Sequence, residues 1–335
     1  MKRLSQHILF WPAVTLALLL IASAAFNPAF LSLAWRDGHL FGSLIDILNR
    51  AAPLIVVSLG MTLVIAVRGL DISVGAVVAI AAAVAALMIG GSFSATDAVT
   101  SAYPLWLALA SALGVAAICG LWNGLLVVKA GMQPIVATLI LMVAGRGIAQ
   151  LITGGQIITV YYPPYFELGN GFLAGLPVAL WIAATLFVLL HLLLSRTALG
   201  LFVRAIGGNP EAARVAGVRS SAITLCVYTF CGFAAGIAGL IISSNVKSAD
   251  ANNAGQLLEL DAILAVTLGG TSLSGGRFTL AGTVLGALII QTLTSMIYSL
   301  GVPPEVNLVV KAALVFAVML LQSAPFRGLF ARAAR

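Results

Sequence analysis

Charge is what this sequence has least of. Of 335 residues only 8% are Asp, Glu, Lys or Arg, against about 25% in a typical soluble domain. Seventeen basic and ten acidic side chains cannot cover a water-soluble globule of this size, which excludes an ordinary cytosolic enzyme. Histidine and cysteine are scarcer still, at three each. His7, His39 and His191 stand singly, with no HExxH-type spacing, so no metal site is expected. Cys119, Cys226 and Cys231 lie in apolar runs without a CxxC, so they read as free thiols packed like small hydrophobes. The chain also lacks any Gly-Lys dipeptide. Without GxxxxGK[ST] it has no phosphate loop, and any ATP hydrolysis must reside on another subunit. No cofactor is expected.

What is present is hydrocarbon: 61% of residues are apolar and the mean hydropathy is +1.12. The fold class this implies is all-α, a polytopic integral membrane protein, with 1–335 forming one transmembrane domain in the lipid bilayer. A span needs about 20 mostly apolar residues, fewer where a helix is broken inside the bundle. Segments are expected near 8–26, 54–67, 74–90, 105–128, 135–152, 176–194, 221–243, 262–274, 279–300 and 307–323, about ten in all. The first, headed by Lys2 and Arg3, reads as an uncleaved span rather than a signal peptide. Basic residues gather at both termini (Lys2, Arg3; Arg327, Arg332, Arg335) and at Arg196, Arg204, Arg214 and Arg219. The linkers 91–103 and 153–175 hold only Asp97 and Glu167, and 244–261 is net acidic. The positive-inside rule then puts both termini and 196–220 in the cytoplasm, and ten crossings satisfy the parity. The basic excess thus reports topology, not nucleic-acid binding.

Two pairs of segments look short and broken: 54–67 with 74–90, and 262–274 with 279–300. Short, glycine-interrupted spans in corresponding places of two halves point to a transport pathway. An internal two-fold repeat is suggested by residues 57–68 and 266–277, which share Val, Leu, Gly, Thr and Arg in register. Ionisable groups within hydrocarbon persist mainly where they face a protein interior or a water-filled cavity. Arg68 with Asp71, read as an ion pair or helix cap at the break, Arg146, and the Glu259/Asp261 pair at the outer mouth of a span fall in this class. With the uncharged Asn123, Thr138, Asn252 and Asn253 they give candidate pathway residues: Asp71, Asn123, Thr138, Arg146, Asn252, Asn253, Glu259 and Asp261. Such a set suits a neutral polyhydroxylated solute, whose hydroxyls both donate and accept hydrogen bonds.

Residues 207–219 form the most specific local signal. Asn209 or Pro210 starts a short helix, Glu211 sits in its first turn and Gly217 ends it. A short basic helix between two spans reads as a docking element for a cytosolic partner. An ion-coupled secondary sugar transporter is the alternative, with Asp71 as its only deep carboxylate. An intramembrane enzyme lacks a catalytic pair.

The motif Glu211-Ala-Ala-Arg-Val-Ala-Gly217 resembles the EAAxxxG coupling loop of ABC importer permeases. Gly69-Leu-Asp-Ile-Ser-Val-Gly75, Asn123-Gly124, Gln133-Pro-Ile-Val-Ala-Thr138 and Leu268-Gly-Gly-Thr-Ser-Leu-Ser-Gly-Gly276 are similar to blocks of the ribose/arabinose/xylose branch. Residues 41–53, 137–147 and 249–255 look most like galactofuranose-type permeases. Arg68, where many relatives carry a small residue, and Arg277-Phe278 depart from the pattern. The resemblance implies a sugar-translocating permease subunit of the bacterial inner membrane. Its implied partners are an ATP-binding ABC subunit, a periplasmic sugar-binding protein and a second permease chain, a homologous heterodimer partner. Asn209, Pro210, Glu211, Ala212, Ala213 and Gly217 would couple it to the ATPase.

Overall fold

The computed structural model describes residues 9–36, 38–90 and 102–301, with 306, 308–310, 312–313, 316 and 320. Most of the expected last segment 307–323, most of the linker 91–103, His7 and the basic residues of both termini lie outside the described residues. Among the described residues the long elements are all helices: α1 (Phe10–Phe26), α2 (Ser43–Ala66), α3 (Val74–Ile89), α4 (Leu105–Val128), α5 (Pro134–Ile152), α6 (Pro163–Asn170), α7 (Val178–Arg196), α8 (Leu199–Gly208), α9 (Pro210–Val215), α10 (Ser220–Val246), α11 (Leu258–Leu268) and α12 (Leu280–Ser299). Three two-stranded antiparallel ribbons join them. Strand β1 (Ala34–Arg36) pairs with β2 (His39–Phe41), β3 (Ile158–Thr159) with β6 (Ser248–Ala249), and β4 (Phe172–Leu173) with β5 (Leu176–Pro177). Six of the described helices are long and apolar enough to cross a membrane: α2, α4, α5, α7, α10 and α12. Helices α1 and α3 are apolar but shorter.

The bundle is built around α2, which is buried from Ala51 to Ala66. In lipid there is little hydrophobic drive between helices, so close approach of small residues does the packing. Helix α10 crosses α4 on such a seam. A Cβ on Gly120 would strike the Tyr228 carbonyl, one on Gly232 the Ala116 carbonyl, and one on Gly236 the Ala116 side chain. Helix α12 meets α2 through a hydrogen bond between the Thr283 and Thr62 hydroxyls at 2.7 Å, in a fully buried position.

Two expected segments differ in extent. The span expected at 54–67 is the 24-residue helix α2, starting at Ser43. Asp46 and Arg50 interrupt the apolar run, but both lie exposed on the helix surface, where they leave its backbone bonds intact. The span expected at 262–274 is an eleven-residue helix that stops at Leu268. Gly269 and Gly270 end it: Gly270 has φ +87°, and Gly269 lies against the backbone of Gly282, where a Cβ has no room. The two stretches that share five residues therefore differ in form, 57–66 being helix and 269–277 irregular.

At one end of the bundle the turn after α2, the end of α8 and residues 275–278 converge. The Gly276 amide donates to the Ala66 carbonyl at 2.9 Å, and the Arg204 guanidinium lies 5.3 Å from the Phe278 ring centre. The far end carries the β3–β6 ribbon and α6. Gly169 donates to the Ser244 hydroxyl at 2.8 Å, and the Tyr165 hydroxyl bonds that of Ser243.

Candidate functional site

The polar residues singled out by type gather into two clusters, each at a place where the chain leaves helical form. The first is the break 67–73 between α2 and α3. Asp71 is 1% exposed. Its Oδ1 accepts from the Ser73 amide at 3.0 Å, the Ser73 hydroxyl at 2.6 Å and the Asn123 amide nitrogen at 3.3 Å. Asn123 Nδ2 also donates to Ser73 Oγ at 2.8 Å. The Thr138 hydroxyl donates to the Pro134 carbonyl at 3.0 Å and accepts from the Ile72 amide at 3.3 Å. Asp71, Asn123 and Thr138 thus hold the irregular backbone where α4 and α5 flank it. A non-helical stretch at membrane depth is tolerated only when protein groups satisfy its polar atoms in this way. Two polar atoms here stay without a partner among the described residues, Asn123 Oδ1 and the hydroxyl of Tyr228, which lies against Gly69. Buried polar groups are nearly always paired, so these two set the break apart from the rest of the bundle.

The second cluster is the stretch 250–257 before α11. Glu259 and Asp261 follow it in the first turn of that short helix. Gly255 and Gly239 both pack on Val78, and Val246, the end of α10, lies seven residues beyond Gly239. At 1.5 Å per residue this sets Gly255 about 10 Å inside that end of α10. Arg146 donates to the Ala251 carbonyl at 3.0 Å and the Ala254 carbonyl at 2.7 Å, so it holds the dipping chain instead of reaching to an interface. Gln150 donates to Asn252 Oδ1 at 2.6 Å, and Asn253 donates to Asp250 Oδ2 at 2.7 Å. Asn252 and Asn253 are exposed, Asp261 is half-buried and Glu259 is 5% exposed.

The clusters touch. A Cβ on Gly75, the second residue of α3, would collide with the Glu259 carboxylate and the Gly255 carbonyl. The starts of α3 and α11 therefore meet inside the bundle, with Asp71 at one and Glu259 at the other.

The third feature is the exposed helix α9. Asn209 caps it, its Oδ1 accepting from the Glu211 and Ala212 amides at 3.1 Å each, with Pro210 in the first turn. Gly217 ends it at φ +84°, with the Val218 amide donating back to the Ala213 carbonyl at 3.0 Å. The predicted start and stop are those observed. Glu211 pairs with Arg214 at 2.5 Å, and this hydrogen bond, with the neighbouring negative charge, raises the guanidinium above its ordinary value. Ala213 is buried, whereas Ala212, Val215 and Ala216 face outward, Val215 being 80% exposed. The preceding helix α8, which no sequence signal announced, ends in the glycines that meet the turn after α2.

Arg68 is the correction the structure makes to the local pairing. It does not pair with Asp71. Its Nε donates to the Gly207 carbonyl at 2.7 Å and its Nη2 to the Gly208 carbonyl at 2.5 Å. Sequence spacing favours Asp71 three residues away, and nothing in it shows a partner about 140 positions distant. Among the described residues no group of His, Cys, Asp and Glu could hold a metal ion.

Residues 43–319 match the model of the branched-chain amino acid transport system / permease component family. Over 324 residues the chain is 50% identical to the galactofuranose transporter permease protein YtfT of Escherichia coli, covering 95% of this chain and 92% of that one. It is 38% identical to the fructose import permease protein FruF of Bifidobacterium longum over 340 residues, covering 100% and 93%. It is 36% identical to the ribose import permease protein RbsC of Escherichia coli over 285 residues, covering 84% and 85%. No solved structure matches the chain.

Proposed function

Since the chain belongs to the branched-chain amino acid transport system / permease component family, and is a multi-pass inner-membrane permease of an ABC sugar importer, we propose that its solute is galactofuranose or a related pentose or hexose. The 50% identity to a galactofuranose permease across nearly the whole chain supports that solute. The chemistry at the chain breaks agrees with a neutral sugar. Helix N-termini attract anions, but the starts of α3 and α11 already carry Asp71 and Glu259. An anionic solute would meet those carboxylates, while a polyol would meet hydroxyl and amide groups able to donate and accept.

Hydrolysis in this family belongs to a separate ATP-binding subunit, and a substrate-binding protein delivers the solute. The finer reading is that residues 207–219 are the cytoplasmic coupling loop, with Asn209, Pro210, Glu211, Ala212, Ala213 and Gly217 shaping α9 for the ATPase. A second, homologous permease chain completes the pair. Both termini then lie in the cytoplasm on the α9 side, which Arg68, Arg196, Arg204, Arg214 and Arg219 make strongly basic. Closure of the ATPase pushes α9, and the bundle rocks so that the polar clusters at the two breaks open alternately to either side. Asp71, Asn123, Thr138, Arg146, Asn252, Asn253, Glu259 and Asp261 line or brace that path. The ion-coupled alternative finds no support in these relatives.

The test is reconstitution with labelled D-galactose and D-ribose. Liposomes holding the permease alone under a proton or sodium gradient should take up neither sugar. Liposomes with the ATP-binding subunit, second permease and binding protein should take up sugar when ATP is supplied. Gradient-driven uptake by the chain alone would overturn the assignment.

A further inference from the structure

Helix α2 ends in a Schellman motif. The Gly69 amide donates to the Val64 carbonyl at 2.8 Å and the Arg68 amide to the Ile65 carbonyl at 3.0 Å. The residue that must turn left-handed in this motif is Arg68, with φ +65°. Glycine adopts that conformation freely and an L side chain adopts it at a cost. Three other described residues that are not glycine share it, Ala174, Lys247 and Leu257, but the exposed end of α9 turns on glycine. Helix α9 ends at Gly217 with φ +84°, and a Cβ there would meet nothing. A strained position that carries the largest basic side chain points to work done by that side chain.

The work is visible in its contacts. The guanidinium fork takes the carbonyls of Gly207 and Gly208, the last two residues of α8. These are end-of-helix carbonyls with no intrahelical donor, at the negative pole of the helix, so a cation there is favourable. One residue on, Asn209 caps α9. Three residues on from Arg68 in the other direction is Asp71, the hub of the first break. The side-chain bridge is therefore the short route from α9 to Asp71: Asn209, Gly208, Arg68, Gly69, Leu70, Asp71. Gly207 has no room for a Cβ between the Ala66 carbonyl and Gly276, so the joint is tight at this point. Gly208 and Gly217, at the two ends of α9, have open space around them. The fork thus joins the residue next to the cap of α9 to the turn after α2.

We propose that Arg68 is a positioning residue, a strut that transmits displacement of α9 to the Asp71 break and so couples ATP hydrolysis to opening of the path. This rests on reading α9 as the helix that docks the ATPase. The backbone argument supplies a clean variant: Arg68→Gly relaxes the left-handed turn while deleting the strut. A second variant, Arg68→Lys, keeps the charge and stem but replaces the two-pronged fork with a point donor.

The experiment uses the complete importer in proteoliposomes, with labelled galactose and ribose as probes, and measures sugar taken up per ATP hydrolysed. Melting temperature and co-purification of the ATP-binding subunit are recorded alongside. The expected result is a Gly variant that melts within a few degrees of the unsubstituted protein and hydrolyses ATP, but moves at least tenfold less sugar per ATP. The Lys variant should fall between the two. A sugar-to-ATP ratio within twofold of the unsubstituted importer in both variants overturns the strut. So does a proportional fall of uptake and hydrolysis at an unchanged ratio, which marks a merely structural residue. If the unsubstituted complex shows no ATP-dependent uptake, the docking assignment itself fails, and that outcome is separate from either result for Arg68.

Discussion

Substituting Asn209 by Ala is the sharpest test of α9 as a docking helix. The helix has six residues, and isolated helices so short are marginal in water. Its first turn is held by one side-chain oxygen that accepts two backbone amides at 3.1 Å. Replacing such a cap by Ala costs about 1 kcal/mol, with a range of roughly 0.5–2. If only the formed helix fits the ATPase, the apparent affinity falls with the fraction formed. A loss of about 1 kcal/mol is then about fivefold in dissociation constant, and about 2 kcal/mol roughly thirtyfold. The rest of the permease should be unaffected, because Asn209 contributes no buried packing: it is exposed. The assay is titration of the fluorescently labelled ATP-binding subunit onto permease held in lipid nanodiscs. Asn209→Asp and Asn209→Ser serve as controls, since both keep a capping oxygen. The expected order is unsubstituted, Asp and Ser together, with Ala weaker by about five- to thirtyfold. Ala binding as tightly as the unsubstituted chain would refute the reasoning. So would Asp and Ser binding no better than Ala, which would make the amide itself the contact.

The two breaks give two further predictions. At the first, Asp71→Ala strips a partner from the Ser73 amide, the Ser73 hydroxyl and Asn123 Nδ2; at about 1–3 kcal/mol per orphaned buried group the protein level should collapse. Asp71→Asn keeps an acceptor in the same place, so membrane levels should stay normal while uptake falls tenfold or more; full uptake by the Asn variant would leave Asp71 a structural hub only. At the second, Arg146→Leu removes the donor to the Ala251 and Ala254 carbonyls, and uptake should drop while the ATP-binding subunit still co-purifies. Arg146→Lys should restore part of the uptake, and equal uptake by Leu and the unsubstituted chain would remove Arg146 from the pathway.

Much of this arrangement is written locally, and local features were legible in the sequence. The cap, first-turn proline and terminating glycine of α9 act within ten residues, so Asn209, Pro210 and Gly217 announce the helix by themselves. Likewise the polar residues that hydrocarbon cannot tolerate unless paired, Asp71, Asn123 and Arg146 among them, were found by type alone. What escaped depends on contacts between distant segments. Asp46 and Arg50 shorten the apolar run of α2, and only the fold shows them on an exposed surface while the helix passes through. The dip of 250–257 is fixed by Gly255 against Val78 and by Arg146, neither of which has a sequence signature. The partner of Arg68 was invisible for the same reason: a nearby carboxylate is a strong expectation, and two carbonyls at the end of another helix carry no pattern.

The meeting of Gly75 with Gly255 and Glu259 changes what the two breaks mean. Taken separately, each is a local irregularity with its own hydrogen bonds. In contact, they form one seam running inward from the exposed Asn252 and from Arg146, through Glu259 and Gly75, to Asp71, Asn123 and Thr138. The seam ends at the turn carrying Arg68, beside α8 and α9. Glycines at 75 and 255 bring the two helix starts into backbone contact: a Cβ on Gly75 would strike the Glu259 carboxylate and the Gly255 carbonyl. That contact is as close as those of Gly239 on the Val78 carbonyl and of the α4–α10 crossing. Close-packed neighbours transmit a shift instead of absorbing it. Displacement applied at the turn after α2 would therefore pass from α3 to α11, along the seam where the polar groups lie.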